Sequence, residues 1–268
     1  FGDFDVDGLS GTAIVVRTIK ALGGIALPYI PNRELDGHGL SKGAIESFSR
    51  SNVDLIITVD TGTTAISEVA FAKQLAIDVI ITDHHLMGDE RPKSVALVNP
   101  QINNQHAVPL AGAGVAFKLA QALWEASGLD WPFDLLALAA LGTIADLVPL
   151  KQENRIIVAQ GLAELGRTHH PGLQALMQIS KPQGYYGKPD TELVSFYLSP
   201  RLNAPGRLGD AGPSLRILTT TDANEARALA IRLDRDNKER RIISEKAWME
   251  AQAQLNKTKS NPSLLAVC

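Results

Sequence analysis

Cysteine is nearly absent from this chain of 268 residues: the only one, Cys268, is its last residue. A single thiol excludes a disulfide framework and any cysteine-built zinc site, and it suits a reducing cytoplasm. No apolar run approaches the roughly 18 residues needed to span a bilayer, and the start lacks a secretory signal pattern. A soluble, cytoplasmic protein is expected. Aromatic residues are scarce, 5% against 45% hydrophobic overall, which suits an Ala/Leu/Ile/Val-rich α/β protein better than an aromatic-rich β sandwich. Internal repeats and low-complexity tracts are missing. Phe1 is not an initiator Met and "SLLAVC" reads as a strand cut off as it begins, so the chain is read as a fragment.

The formal net charge of −3 is unevenly spread. Residues 1–150 hold 9 Lys/Arg against 17 Asp/Glu, a balance of −8, and residues 151–268 hold 17 against 12, a balance of +5. An acidic half can hold metal and a basic half can hold polyanion, although surface variation alone produces such asymmetry.

Short β-branched runs recur at 25–30, 54–60, 78–85 and 95–100, with helical patterns between them. Strands alternating with helices predict a doubly wound, mainly parallel sheet. Working sites in such sheets lie at the carboxyl ends of the strands. The opening aspartates, Asp60 and Asp83-His84-His85 each follow an apolar strand there. Beyond residue 110 the chain turns helical, and the apolar pattern at 132–150 delivers Asp146 near its end. A Gly/Pro/Tyr-rich stretch at 180–190 and the loop "SPRLNAPGRLGDAGPS" at 199–214 interrupt regular structure. From Asp222 a D-x-x-E capping box opens a long helix with Ala226, Leu229, Ala230 and Leu233 as its early stripe.

The opening "FGDFDVDG" places Asp3, Asp5 and Asp7 two apart, so on an extended segment their carboxylates share a face and repel unless a cation lies between them. A solvated acidic turn is the plain alternative. Carboxylates with one or two imidazoles and no thiolate suit Mn²⁺ or Mg²⁺. Several carboxylates can bridge two ions about 3.5–4 Å apart, the arrangement of phosphoester hydrolysis. D-V-D-G-L at 5–9 also resembles the haloacid-dehalogenase phosphatase motif, but "VDTGTT" and "TDHH" stand where that class needs a Lys and an acidic pair. "AGAGVAF" at 111–117 is a weak nucleotide-binding pattern, lacking the third Gly and a preceding strand.

"TDHH" at 82–85 resembles the third motif of the DHH phosphoesterase superfamily. "GDFDVDG" is similar to its first, "VDTGTT" to its second and "GTIADLVPL" (142–150) to its fourth. "YIPNRELDGHGLS" (29–41), "GAGVAFKL" (112–119) and "SPRLNAPGRLGDA" (199–211) resemble the RecJ branch, single-strand-specific 5′→3′ DNA exonucleases. The resemblance covers nearly the whole chain. It implies metal ligation by Asp5, Asp7, Asp60, His84 and Asp146, with Asp3 as a ligand or beside one, around two Mn²⁺ or Mg²⁺ ions. His85 is implied at the scissile phosphate or in proton transfer, with Asp60 and His84 sharing the catalysis. Arg201, Asn203 and Arg207 match the branch's Arg-x-Asn motif against phosphates, where guanidinium geometry is suited to bidentate binding. His38 lies in a family-like loop within reach of DNA. Phe1 stands where many superfamily members carry His, which leaves the first metal to weaker binding or to Asp3.

Gly8 is expected to let the chain turn tightly into the next helix. His106, His169 and His170 read as surface or loop residues, Tyr185 and Tyr186 as packing groups with base stacking as the alternative, and the Arg/Lys run at 235–241 as a solvated helix face with contact to the DNA backbone as the alternative. The resemblance implies single-stranded DNA as partner, in DNA repair and recombination, with a single-strand-binding protein or helicase as analogous protein partners. It divides the chain into a metal-binding catalytic domain (1–150), an extension carrying the Arg-x-Asn motif (151–221), a connecting helix (222–258) and the start of a second domain (259–268). The rival readings are a DHH hydrolase of short oligonucleotides or small nucleotides, and a non-catalytic replication scaffold. The RecJ-like loops oppose the first and the intact ligand motifs oppose the second.

Overall fold

The computed structural model describes residues 1–33, 35–102, 108–128, 130, 133–182, 185 and 187–257. Among them, three parallel strands, β1 (Leu55–Val59), β2 (Asp78–Thr82) and β3 (Ala96–Val98), pair in the order β1-β2-β3. The opening residues extend this sheet past β1. Gly2 bridges Val59 in parallel, Val59 N donates to the Phe1 carbonyl at 2.8 Å, and Asp3 N donates to the Val59 carbonyl at 3.3 Å.

Alternation along β1 sends neighbouring side chains to opposite faces. Ile56 joins a cluster with Ile45, Val69 and Ala72 of α2 (Lys42–Arg50) and α3 (Ile66–Gln74). Val59 joins the larger cluster on the other face, built from α1 (Val6–Ala21), α4 (Gly112–Ser127) and α5 (Leu135–Ala145). Helices on both faces of a parallel sheet make the doubly wound α/β arrangement. Residues 135–144 of α5 are all buried, as expected of a helix apolar on every side.

The larger core continues through α6 (Gln152–Gly166), α7 (Pro171–Ser180), a π-helical turn (Leu193–Leu198), α8 (Ser199–Arg207) and α9 (Gly212–Thr219) into Leu233 of α10 (Ala223–Lys257). The stripe of α10 packs as its sequence suggests, with Ala226, Ala230 and Leu233 buried and Leu229 against them. Residues 241–250 are all exposed. Residues 259–268, His106 and Tyr186 lie outside the described residues.

Several sequence expectations give way to tertiary context. Residues 25–30 form no strand: Ile25 and Leu27 are exposed at 92% and 67%, Pro28 has no N–H, and the segment reaches the opening strand through one bond, Gly2 N to the Tyr29 carbonyl. The 199–214 loop is largely helical. Pro213 sits in a first turn, where a missing N–H is harmless, whereas Pro200 and Pro205 lie within a helix continuous from residue 191, and burial of Leu198, Leu202 and Ala204 offsets them. Half of the capping box forms. Asp222 Oδ1 accepts from Asn224 N and Glu225 N, while the Glu225 carboxylate turns away to Arg216 and Thr220.

The α5–α6 crossing is set by Gly161. A Cβ there would lie 2.3 Å from the Leu136 carbonyl oxygen and 2.4 Å from Ala140 Cβ. Gly161→Ala therefore forces the helices apart and is expected to lower unfolding free energy by about 1–3 kcal/mol, the range of an overpacked core. Urea titration checks this; an unchanged midpoint would show that the crossing yields freely.

Candidate metal centre

Three connections bring the acidic groups to the carboxyl edge of the sheet, and each has a local cause. Beyond the opening strand, Asp5 caps α1, its Oδ1 accepting from Asp7 N at 2.9 Å and Gly8 N at 3.1 Å. Asp7 already lies inside the first helical turn. The three aspartates thus converge from a strand end, a cap and a helix, and not by alternation along one extended segment. Gly8 is required for a different reason from the turn expected of it: a Cβ would fall 2.5 Å from the Asp3 carbonyl oxygen.

After β1, Asp60 adopts the left-handed region at φ +61°, which Asp tolerates better than most residues. Thr58 Oγ1 donates to the Thr61 carbonyl at 2.7 Å, and Gly62 at φ +111° completes the turn. After β2, Asp83 is a hub: Oδ1 accepts from His84 N at 2.7 Å and pairs with His85 Nδ1 at 2.7 Å, and Oδ2 accepts from Thr63 N at 2.9 Å. Asn99, beyond β3, donates to Thr63 Oγ1 and to the His85 carbonyl, both at 2.9 Å. Asp146 caps the C-terminus of α5, and Leu147 follows at φ +61°.

Asp7 is buried and faces the N-terminus of α4, where Gly112 N donates to Oδ2 at 2.6 Å and Ala113 N to Oδ1 at 2.8 Å. Gly112 and Gly142 allow this approach. A Cβ at the first would meet Asp60 Oδ1 at 2.6 Å, and at the second Asp7 Oδ1 at 2.5 Å. His84 Nε2 lies 3.0 Å from Asp60 Oδ1 and 3.8 Å from Asp7 Oδ2, and its Nδ1 lies 3.8 Å from Asp146 Oδ2.

Crowding shows in the protonation equilibria. Burial, and then Asp146 and Asp5, push Asp7 up to about 8 against the opposing α4 amides. Burial and the Asp7, Asp5 and Asp3 charges hold Asp60 well above the carboxylate range. Asp146 rises to about 6 through burial and Asp5. For Asp83, burial is outweighed by the bonds from His85 and Thr63, which bring it down to about 2. The Asp83 bond raises His85, while burial and the neighbouring His85 lower His84.

These features fit a cation. Asp60 Oδ1 is buried and receives no directed hydrogen bond among the described residues, its close neighbour being the ring nitrogen His84 Nε2 at 3.0 Å, while four other carboxylates press on the group. Among the described residues, donor atoms within 4.8 Å of one another form three groups: Asp3, Asp5 and Asp60; Asp7, His84 and Asp146; and Asp60, His84 and His85. Asp60 and His84 each belong to two groups, so the donors describe adjoining positions, and of the two only the Asp60 carboxylate has a second oxygen with which to bridge them. Oxygen-rich donors with one or two imidazoles suit hard or borderline divalent ions.

The other residues singled out in the sequence lie around this cluster. Asn203 Oδ1 accepts from Val6 N at 3.1 Å, holding the start of α1. Arg207 and Asn203 line a cleft with Ala145 and Leu147, the neighbours of Asp146. Arg201 is committed elsewhere, to Asp234 Oδ1 at 2.8–2.9 Å and the Tyr197 carbonyl. His38 packs on Phe4, ring centroids 5.1 Å apart. Phe1 stacks on Tyr29 at 5.5 Å within the α2–α3 core. His170 caps α7 through Nδ1, and Tyr185 packs on the core with its hydroxyl on the Lys188 carbonyl. The sequence reading places Asp83 at the sheet edge without assigning it a role, and gives none to Thr63, Asn99 or the α4 N-terminus. Asp83 and Thr63 lie inside quoted motifs, but only contacts distinguish a group that orients a histidine from one that binds an ion.

Comparison with known proteins gives consistent relationships. Residues 1–143 match the DHH family, N-terminal domain. The chain is 44% identical over 253 residues to the single-stranded-DNA-specific exonuclease RecJ of Bacillus subtilis, covering 94% of the chain and 31% of that protein. It is 41% identical over 244 residues to the RecJ of Thermus thermophilus, covering 91% and 36%. A crystal structure of exonuclease RecJ bound to manganese superposes with a TM-score of 0.88 at 40% identity, covering 94% of this chain and 64% of that one. The Thermus thermophilus RecJ in complex with Mn²⁺ gives 0.84 at 38% identity, covering 94% and 36%. The chain therefore spans less than half the length of these curated relatives.

A cation at this cluster competes with protons. Because Asp7 and Asp146 are raised to about 8 and about 6, binding displaces protons below those values, and affinity rises with pH. The gain in melting temperature on adding saturating Mn²⁺ is expected to be larger at about pH 8 than at about pH 6. Taking the difference with and without ion cancels groups remote from the cluster. A gain independent of pH would mean that the carboxylates are already ionised in the free protein.

Proposed function

The chain belongs to the DHH family, and on that premise we propose that it carries the catalytic core of a divalent-metal-dependent 5′→3′ exonuclease acting on single-stranded DNA in repair and recombination. One observation carries the reading: the donor groups adjoin one another and meet at Asp60, whose carboxylate has two oxygens to offer neighbouring ions. The resemblance of 93–94% of the chain to RecJ exonucleases supports the substrate class.

In this reading Asp3, Asp5, Asp7, Asp60, His84 and Asp146 hold two Mn²⁺ or Mg²⁺ ions. Such a pair, when bound, activates water and neutralises charge on a phosphodiester undergoing in-line displacement. Asp83 fixes His85 through Nδ1 and leaves Nε2 of this half-exposed ring to face the scissile phosphate and carry a proton. The raised proton affinity of His85 suits it to that role. Asn203 holds the α1 N-terminus and so keeps Asp5 and Asp7 in place. Arg207 is assigned to substrate phosphate. Arg201, being paired with Asp234, orients α8 and touches no substrate in this account. The division into a catalytic part (1–150), an extension (151–221) and a connecting helix (222–258) belongs to the same reading. Among the described residues, no helix is long and apolar enough to cross a membrane.

Digestion of 5′-labelled and 3′-labelled single strands with Mn²⁺, beside duplex and dinucleotide controls, tests polarity and substrate together. Preferential hydrolysis of dinucleotides would replace the proposal with a small-nucleotide hydrolase. Asp60→Asn is the informative variant, since Asn tolerates the left-handed backbone at 60 and lacks the charge. It is expected to reduce hydrolysis by more than the roughly 10–100-fold typical of losing a group that merely supports a ligand. Wild-type turnover in Asp60→Asn would remove Asp60 from the metal set.

A further inference from the structure

The π-helical turn at Leu193–Leu198 displays an aromatic ring in an unusual setting. Leu193, Val194 and Leu198 are wholly buried, yet Phe196 is 72% exposed. Single π turns break the helical rhythm and are frequent at functional sites. Here the widened turn leaves one ring off the buried face.

That ring stands between two clefts. The first, of about 500 Å³, begins at Ala145 and Leu147 beside Asp146 and passes Asn203 and Arg207. The second, of about 360 Å³, continues to Lys181 and Arg241. Phe196, Pro200 and Arg240 line both. The two clefts make one track leading away from the metal cluster, with Phe196 at its midpoint.

The charges along the track are unbalanced. Most other cations of α10 are paired: Arg232 and Arg235 with Asp236, Lys238 with Asp234 and Lys246 with Glu250, while Arg227 has no salt bridge among the described residues. Among the described residues Arg207, Arg240 and Arg241 have no salt bridge. Arg240 contacts only the Asn237 amide oxygen, at 3.2–3.4 Å. Burial and the cations of Arg207 and Arg241 weaken its hold on its proton, so these guanidinium groups act on one another across the cleft. The Arg/Lys run that reads in sequence as a solvated face therefore includes a part turned to the clefts. An anion among the three relieves their repulsion, and an aromatic face beside them takes a flat apolar group.

We propose that Phe196 is a base-stacking platform, with Arg240 and Arg207 binding the adjoining phosphate, in a nucleotide subsite next to the metal centre. The inference rests on the proposed single-stranded DNA substrate and adds the residues that grip the strand outside the ligand set. Alternation of a stacked base with a neutralised phosphate is the general mode of sequence-independent single-strand binding. A positive groove alone binds duplex as well; the ring restricts the site to unstacked bases.

The test is an abasic scan in chelator, so that binding is read without hydrolysis. Oligonucleotides carrying one abasic site, stepped along the strand, are titrated by fluorescence anisotropy against wild type, Phe196→Ala and Phe196→Trp. One abasic position is expected to weaken wild-type binding about 5- to 150-fold, the range of one base–aromatic stack. Phe196→Ala should lose the same factor on the intact strand and become indifferent to that abasic position, and Phe196→Trp should restore both. Arg240→Gln should lower the slope of log affinity against log salt by about one phosphate contact. Tight binding of intact strands by Phe196→Ala, or an unaltered abasic profile, would overturn the subsite and leave the exonuclease reading standing. A wild-type chain that binds no single strand would overturn that reading as well.

Discussion

Asp7 lies under the sheet edge with one oxygen on Gly112 N and the other on Ala113 N, and the remaining acidic groups are arranged around it. Asp60, Asp146 and Asp5 crowd into the same small volume, where each carboxylate raises the proton affinity of the next. Such a gathering opposes folding, and the α4 amides on Asp7, the α1 amides on Asp5 and the His85 charge beside Asp146 and Asp3 offset part of it. The buried apolar helices around it hold the arrangement together. Gly112 and Gly142 are the openings through which the repelling groups fit, since any side chain at either position would occupy the space of a carboxylate oxygen.

The helical second part of the chain closes the site as a wall. Asn203 on α8 holds the α1 N-terminus, Ser214 Oγ on α9 donates to the Leu202 carbonyl at 2.7 Å, and the Asn32 side chain reaches the Gly209 carbonyl. Arg201 ties α8 to α10 through Asp234, itself mostly buried and shared with Lys238. The pairing fixes the helix that bears Asn203 and Arg207, so a residue with the chemistry of a phosphate ligand acts here as a strut.

Much of this organisation is visible in the sequence, for physical reasons that differ by element. The strands before Asp60 and His84 are short, apolar and β-branched, so period and composition agree, and α4 occupies the very residues of its apolar pattern. The apolar segment at 25–30 misleads because burial requires a partner surface, and Ile25 and Leu27 have none among the described residues. The prolines at 200, 205 and 213 suggest a loop because local propensity speaks against a helix, whereas the buried Leu202 decides otherwise. Motif spacing places the donors at one edge. It carries no information on Asp83 orienting His85, or on Gly8 lying against Asp3, because both depend on contacts in three dimensions.

The donors are also widely separated along the chain, running from Asp3 to Asp146, and Asp7 is completed by a helix that starts at Gly112. Each group is worth little to an ion until the others arrive, and bringing them together requires closing loops of tens of residues. A growing chain that has formed only its first strands therefore offers scattered carboxylates and no enclosed site. High affinity emerges when α1, α4 and α5 assemble, after the intervening loops have closed. Ion capture is thus a mark of completed tertiary structure, and the ion can lock the native arrangement without having guided the chain towards it.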